Sequence, residues 1–181
     1  ALPEAQRLFP SQGTERAEVV ALETRFDDEL GPQARRWAYC VLTKHPALFE
    51  RIFEPDLSPA ERSALRIGRP VIVKAMKLAF KVSDKAGKRS ADRVRAVFQE
   101  VSDRLSDGRR FLVGDRFTAA DLTFASLATP VLLPEGVGHP FPPRADIPAE
   151  FEAFVAELEA TPAGKHALRM YKEERRRVVV R

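Results

Sequence analysis

The pair that looks most like catalytic machinery is Thr118 and Asp121, a hydroxyl and a carboxylate three residues apart. A carboxylate beside a hydroxyl is the layout of a base beside a nucleophile. The neighbouring residues give both a structural task instead. Thr118 is placed to cap a helix, its hydroxyl accepting from the backbone N–H of Asp121. The Asp121 carboxylate can reach back to the N–H of Thr118. This is a reciprocal capping box with Asp in place of Glu. Phe117 precedes the cap and Leu122 lies four positions after it, the spacing of a hydrophobic staple. Asp121 also sits at the positive end of the helix dipole. Losing such a cap costs on the order of 1 kcal/mol.

Other reactive residue types are scattered. Cys40 is the single cysteine, so no internal disulfide is available, and a lone helical thiol among apolar neighbours reads as a small core residue. His45, His139 and His166 do not stand at metal-ligand spacing from one another or from Cys40, and no metal site is expected. His139 lies in a proline-rich loop from which it could reach a cleft. Lys74, Lys77, Lys81, Lys85 and Lys88 recur at gaps of 3, 4, 4 and 3. On a continuous helix they would make a basic stripe, either a solvated face or a surface for an acidic partner or nucleic acid. Arg175, Arg176 and Arg177 stand where a helix C-terminus favours cations.

The elements that must position these residues are helices. Residues 1–13 contain Pro3, Pro10 and Gly13 and read as a linker. Thr14 is a candidate cap for a first helix, with Val19, Leu22, Phe26, Leu30, Trp37 and Val41 on one face. Gly31-Pro32 should kink it, and His45-Pro46 should end it. Arg35 and Tyr39 fall roughly opposite the apolar face. Residues 46–57 read as a connection with a short helical turn. Ser58-Pro59-Ala60-Glu61 is a capping box that opens a second helix. Pro70 should split or kink it, and Gly87 is expected to break it. Val94, Val97, Phe98, Val101 and Leu105 form one face of a third helix, which Asp107-Gly108 stops. The fourth helix runs from Thr118 to near Pro130. After a Pro- and Gly-rich loop, Pro148 opens a fifth with Phe151, Phe154 and Leu158 inward. Thr161-Pro162 opens a sixth, to about Arg177. No segment alternates like a strand, so the fold class is all-α.

Composition narrows the function classes. With 30 Lys and Arg against 26 Asp and Glu, the formal charge is +4, weak grounds for a nucleic-acid partner. No apolar run approaches the roughly 18 residues of a membrane helix. The opening Ala1-Leu2-Pro3-Glu4 lacks a basic region followed by an apolar run, so no secretory leader is expected, and with the lone cysteine a cytoplasmic setting follows.

Three segments and the order of the helices together resemble one family. Phe111-Leu112-Val113-Gly114-Asp115-Arg116-Phe117-Thr118-Ala119-Ala120-Asp121-Leu122 resembles the capping-box-and-staple motif of glutathione transferase C-terminal domains. Phe26 through Pro32, followed by Arg35-Arg36-Trp37-Ala38-Tyr39, is similar to the first helix of that domain in bacterial members. The helix order, with a long kinked second helix, agrees. Thr161-Pro162-Ala163-Gly164 with Leu168-Arg169-Met170-Tyr171 resembles the closing helix of a bacterial subgroup.

The resemblance implies residues 14–177 as a glutathione transferase C-terminal helical domain, residues 178–181 as a tail, and residues 1–13 as the linker leaving a thioredoxin-like domain. In the family that N-terminal domain carries the activating Tyr, Ser or Cys and most of the glutathione site. No catalytic residue is therefore expected in this chain, which alone should be inactive. The expected reaction is attack of a glutathione thiolate on a small electrophile or a disulfide. Glutathione is the implied co-substrate, with no metal. The helical domain would supply the electrophile-site wall, with Tyr39 and Arg35 or Arg36 lining it, and a homodimer surface. The alternative is a non-catalytic interaction module of the same fold.

Overall fold

The computed structural model describes residues 7–11, 13–53, 57–135, 137 and 141–174. His139, Arg175–Arg177 and the tail 178–181 lie outside these. Among the described residues the secondary structure is helical, with no strand. The helices are α1 (Thr14–Glu29), α2 (Gly31–Leu42), α3 (Pro46–Phe53), α4 (Pro59–Ala79), α5 (Asp84–Arg104), α6 (Ala119–Leu132), α7 (Ala149–Ala160) and α8 (Pro162–Glu173), with a 3-10 turn at Arg144–Asp146 before α7.

The core forms because apolar positions repeat at the helical period and converge on α6. Phe124 of α6 meets the ring of Phe26 from α1 at 5.2 Å and that of Phe98 from α5 at 5.3 Å. All three are fully buried. Burial of each such ring is worth roughly 1.5–3 kcal/mol, and the tilted ring contacts add about 1 kcal/mol. α6 packs on α1, α2, α7 and α8, while α2 lies along α5. Trp37 of α2 closes the α7 side, 4.9 Å from Phe151 and 4.2 Å from Phe154.

Several sequence expectations need correction. Thr14 does not cap α1; it is the first helical residue, and Gly13 is the cap position, with φ of 89°. Gly31-Pro32 does more than kink a helix. It divides the segment into α1 and α2 at Leu30, because Pro32 has no N–H for the hydrogen bond that would continue the ladder. Pro70 does not split α4, which runs through it. Pro130 lies inside α6, which ends instead at Leu133 in the left-handed conformation (φ 47°).

Gly87 does not break a helix. It lies inside α5, buried against Cys40, and a Cβ there would stand 3.1 Å from the Cys40 sulfur. Its missing side chain is what lets α2 and α5 approach. The break falls earlier, at Lys81 (φ 52°), and Ser83 caps α5 by accepting from the Ala86 N–H at 3.2 Å. The five lysines therefore do not share one helix: Lys74 and Lys77 are on α4, Lys81 is in the turn, and Lys85 and Lys88 are on α5. The last helix ends at Glu173.

Candidate functional site

Asp121, in the first turn of α6, is fully buried, and four donors meet its carboxylate. Its Oδ2 accepts from the Thr118 N–H at 3.0 Å and from the Thr118 hydroxyl at 2.9 Å. Its Oδ1 accepts from the Leu112 N–H at 2.8 Å and faces Nε2 of His166 at 3.0 Å. The return contact read from sequence, from the Thr118 N–H to the Asp121 carboxylate, is present, the Thr118 hydroxyl donates to the same oxygen, and the pair is one half of a larger node. On the other side of the imidazole, Nη2 of Arg169 is 3.1 Å from Nδ1. A guanidinium can only donate, so Nδ1 accepts, and Nε2–H is the donor to Asp121. A carboxylate with four donors can sit in the interior because its charge is hydrogen-bonded throughout. The node joins the segment 111–113, the start of α6 and α8.

Directly beside the node a groove of about 420 Å³ opens between the N-terminal half of α6, the C-terminal half of α8 and the entering segment. Leu8, Phe117, Leu122, Ala125 and Met170 make it apolar; Ser126, Tyr171 and Glu174 bring polar groups. The entering segment is held by its carbonyls: the Ala119 N–H donates to that of Leu8 at 2.8 Å, the Arg116 side chain to that of Arg7 at 2.9 Å and the Arg16 side chain to that of Pro10 at 3.0 Å. The Tyr171 hydroxyl is fixed at 2.5 Å from Thr129 Oγ1. Pro130 has no N–H to offer the Ser126 carbonyl, so that acceptor is left without its intrahelical donor. Glu174 caps the C-terminus of α8, where the dipole favours a cation rather than a carboxylate. Leu122 is 41% exposed at the rim. The groove can hold an apolar body with a hydrogen-bonding end, a ligand or the edge of another domain.

Phe117 and Leu122 thus both border this groove. Tyr39, Arg35 and Arg36 do not line it. Tyr39 is half-buried with its ring 4.8 Å from that of Phe80, and Arg36 donates to the Phe80 carbonyl at 3.0 Å and to Gln33 at 3.0 Å. These two residues meet at the end of α4, while Arg35 is exposed. Cys40 is buried, with its thiol 3.5 Å from the Ser83 carbonyl, and desolvation pushes that thiol above its ordinary range. Among the described residues no group of three His, Cys, Asp or Glu side chains could hold a metal ion. No helix among them is long and apolar enough to cross a membrane.

His166 is the residue that sequence reasoning missed. Its partner is 45 positions away, and no local spacing connects a histidine on α8 to a cap on α6.

With this geometry in hand, the similarities to known proteins are informative. Residues 84–156 match the family model of the glutathione S-transferase C-terminal domain. That span runs from the start of α5 into α7 and contains the capping node at Thr118 and Asp121. The chain is thus an all-α protein like the C-terminal domain of glutathione transferases. Beta-etherase LigF from Sphingobium sp. strain SYK-6 is a similar solved structure, at 18% identity and a TM-score of 0.43, over 90% of this chain and 65% of that one. This chain therefore spans just under two thirds of the length of that protein. None of the curated proteins matches it by sequence.

Proposed function

We propose that this chain is the helical half of a glutathione-dependent transferase, and that the groove between α6 and α8 faces a thioredoxin-like domain in the complete protein. The observation that carries the reading is the groove's position. An apolar groove of about 420 Å³ is lined in part by Leu8, on the segment that reads as the linker to such a domain. It is built beside the Asp121 node, where four donors converge on one buried carboxylate. Binding surfaces need rigidity to hold a partner in register.

In this reading the thioredoxin-like domain binds glutathione and stabilises its thiolate, which attacks a small electrophile or a disulfide. The helical domain contributes apolar wall. Phe117, Leu122 and Met170 exclude water from the electrophile, which strengthens every polar contact made there. Tyr39, with Arg35 and Arg36, is a further candidate for the wall, on the α2 side. The protein works in the cytoplasm as a homodimer.

A test is the intact mass of the native polypeptide in its source cell. An addition of about 8–10 kDa to the 20.3 kDa of this chain fits a thioredoxin-like domain of ordinary size. A native mass near 20.3 kDa would contradict the proposal and favour the second reading, a non-catalytic interaction module whose groove takes a separate protein.

A further inference from the structure

α4 is the helix whose outer face the rest of the molecule leaves alone. None of its 21 residues is buried. Its inner face is attached: Leu65, Val73 and Met76 rest half-buried against the core. Arg69 pairs with Glu50 at 2.5 Å, and the Phe80 carbonyl just beyond the helix takes Arg36 at 3.0 Å. A helix lying on a core in this way ordinarily turns a polar face to solvent. Here the opposite face is aliphatic. Ile67, Val71 and Leu78 are 82%, 72% and 82% exposed. At 100° per residue their directions fall within about 40° of one another. Single exposed aliphatics need no explanation. Three on one stripe, on a helix already apolar on its inner side, mark a surface that is covered in function.

The charge around the stripe identifies the cover. From Arg62 to Arg89 the sequence carries nine cationic side chains and one carboxylate, Asp84. That carboxylate is engaged by Lys44 at 2.7 Å. The whole chain is only +4, so this segment is its positive pole. Lys74 lies beside the aliphatic stripe, about 20° from Ile67, and Lys77 on its flank, about 80° from Ile67, both exposed. A second copy would bring cations against cations. Aliphatic side chains neither stack on bases nor read their edges, so nucleic acid would gain nothing from the stripe. A folded protein partner would need a groove that is apolar along its floor and anionic along its rim. A bilayer bearing anionic lipids meets both features: its headgroups take the ammonium groups, and its acyl boundary takes the aliphatic ends.

We propose that α4 is an interfacial helix that docks this protein on membrane surfaces rich in anionic lipid, with Ile67, Val71 and Leu78 entering the acyl boundary and Lys74 and Lys77 at the phosphates.

The test is co-sedimentation of the chain with vesicles of phosphatidylcholine, with and without phosphatidylglycerol, at about 50 mM salt, where surface charges are weakly screened. Binding is expected only with phosphatidylglycerol present. Ile67→Asp and Leu78→Asp should each weaken it at least about tenfold, since each places a carboxylate where an aliphatic group enters the bilayer. Lys74→Gln and Lys77→Gln should weaken it roughly fivefold apiece. Val20→Asp, at a 43% exposed position on α1, should leave it unchanged. All five side chains are exposed, so circular dichroism should show native helicity throughout. Absence of binding to the anionic vesicles would overturn the proposal. So would binding that both aspartate variants leave intact, which would be a charge effect without insertion. A dimer in sedimentation velocity that Ile67→Asp dissociates, with no vesicle binding, would assign the stripe to a second copy and equally overturn it.

Discussion

Nε2 of His166, in the first turns of α8, stands 3.0 Å from Oδ1 of Asp121, in the first turn of α6. Both side chains are buried, and the contact ties the cap of the central helix to the last helix of the described chain. Asp121→Ala would leave the Leu112 N–H, both Thr118 donors and the imidazole N–H without an acceptor. With a penalty of about 1–3 kcal/mol for each buried group that stays unsatisfied, the variant should lose on the order of 4 kcal/mol after partial relaxation. His166→Ala removes one donor and some packing and should lose about 2 kcal/mol. Urea unfolding of the two variants and their double mutant checks this. A coupling near zero would mean that the two residues act independently.

Gly164 is required by close approach. A Cβ at this position would fall 2.0 Å from the Leu158 carbonyl oxygen, which belongs to the last turn of α7. That carbonyl is itself fixed by the Thr161 hydroxyl at 2.6 Å and the Thr161 N–H at 3.1 Å, so it cannot move aside cheaply. Gly164→Ala should therefore destabilise by about 3 kcal/mol or more, against the gain expected for an alanine inside a helix. A thermal midpoint at or above wild type would show that the α7–α8 corner is looser than described.

Asp107 should make stability depend on pH at the acid end. The Arg109 side chain and backbone N–H hold its carboxylate down at about 2, from an ordinary 3.8. A carboxyl depressed on folding stabilises fully above its unfolded value and loses that contribution as pH falls towards its folded value. Asp107→Asn should lower the urea midpoint at neutral pH, and the gap to wild type should close between about pH 4 and pH 2. Asp84 beside Lys44 and Glu157 beside Arg95 are also lowered, so they act in the same direction. A gap that stayed constant down to pH 2 would separate Asp107 from the acid transition.

Cys40 should be slow to alkylate. It is 5% exposed, and burial pushes its thiol up, away from the reactive thiolate. Labelling by iodoacetamide in native buffer should follow the rate of opening between α2 and α5. Labelling as fast as that of a free thiol would place Cys40 at the surface.

Tyr39→Phe and Arg35→Ala test the α2 part of the proposed wall. If these residues contact the electrophile, the complete protein should show a raised KM for at least one of several electrophiles at an unchanged KM for glutathione. Unchanged kinetics for all of them would leave Tyr39 with its packing contact to Phe80 alone.

The parts of this fold that local spacing encodes were legible in the sequence. Val94, Val97, Phe98 and Val101 announce α5, and all four are buried. Thr118 and Asp121 announce the start of α6 because both partners lie within one turn. What depends on contacts between distant segments was not legible. Gly87 reads as a helix breaker until Cys40 is known to face it. Ser83 followed by Asp84 is an available cap signal for the true start of α5. The groove needs Leu8 and Tyr171 together, more than 160 residues apart in sequence, so no local spacing predicts it. The aliphatic stripe on α4 was hidden for a different reason. Its residues fit a helical period, but only the packing shows that Leu65, Val73 and Met76 take the inner side and leave Ile67, Val71 and Leu78 out.

The most direct test of the central claim is glutathione-dependent conjugation by the complete native protein, wild type against Leu122→Asp. Leu122 stands 41% exposed on the groove, so a carboxylate there alters the wall without emptying the core. The proposed role predicts measurable conjugation in wild type, a KM for an apolar electrophile raised about tenfold in the variant, and a KM for glutathione within about twofold. No conjugation with any electrophile, or a variant indistinguishable from wild type, would contradict it.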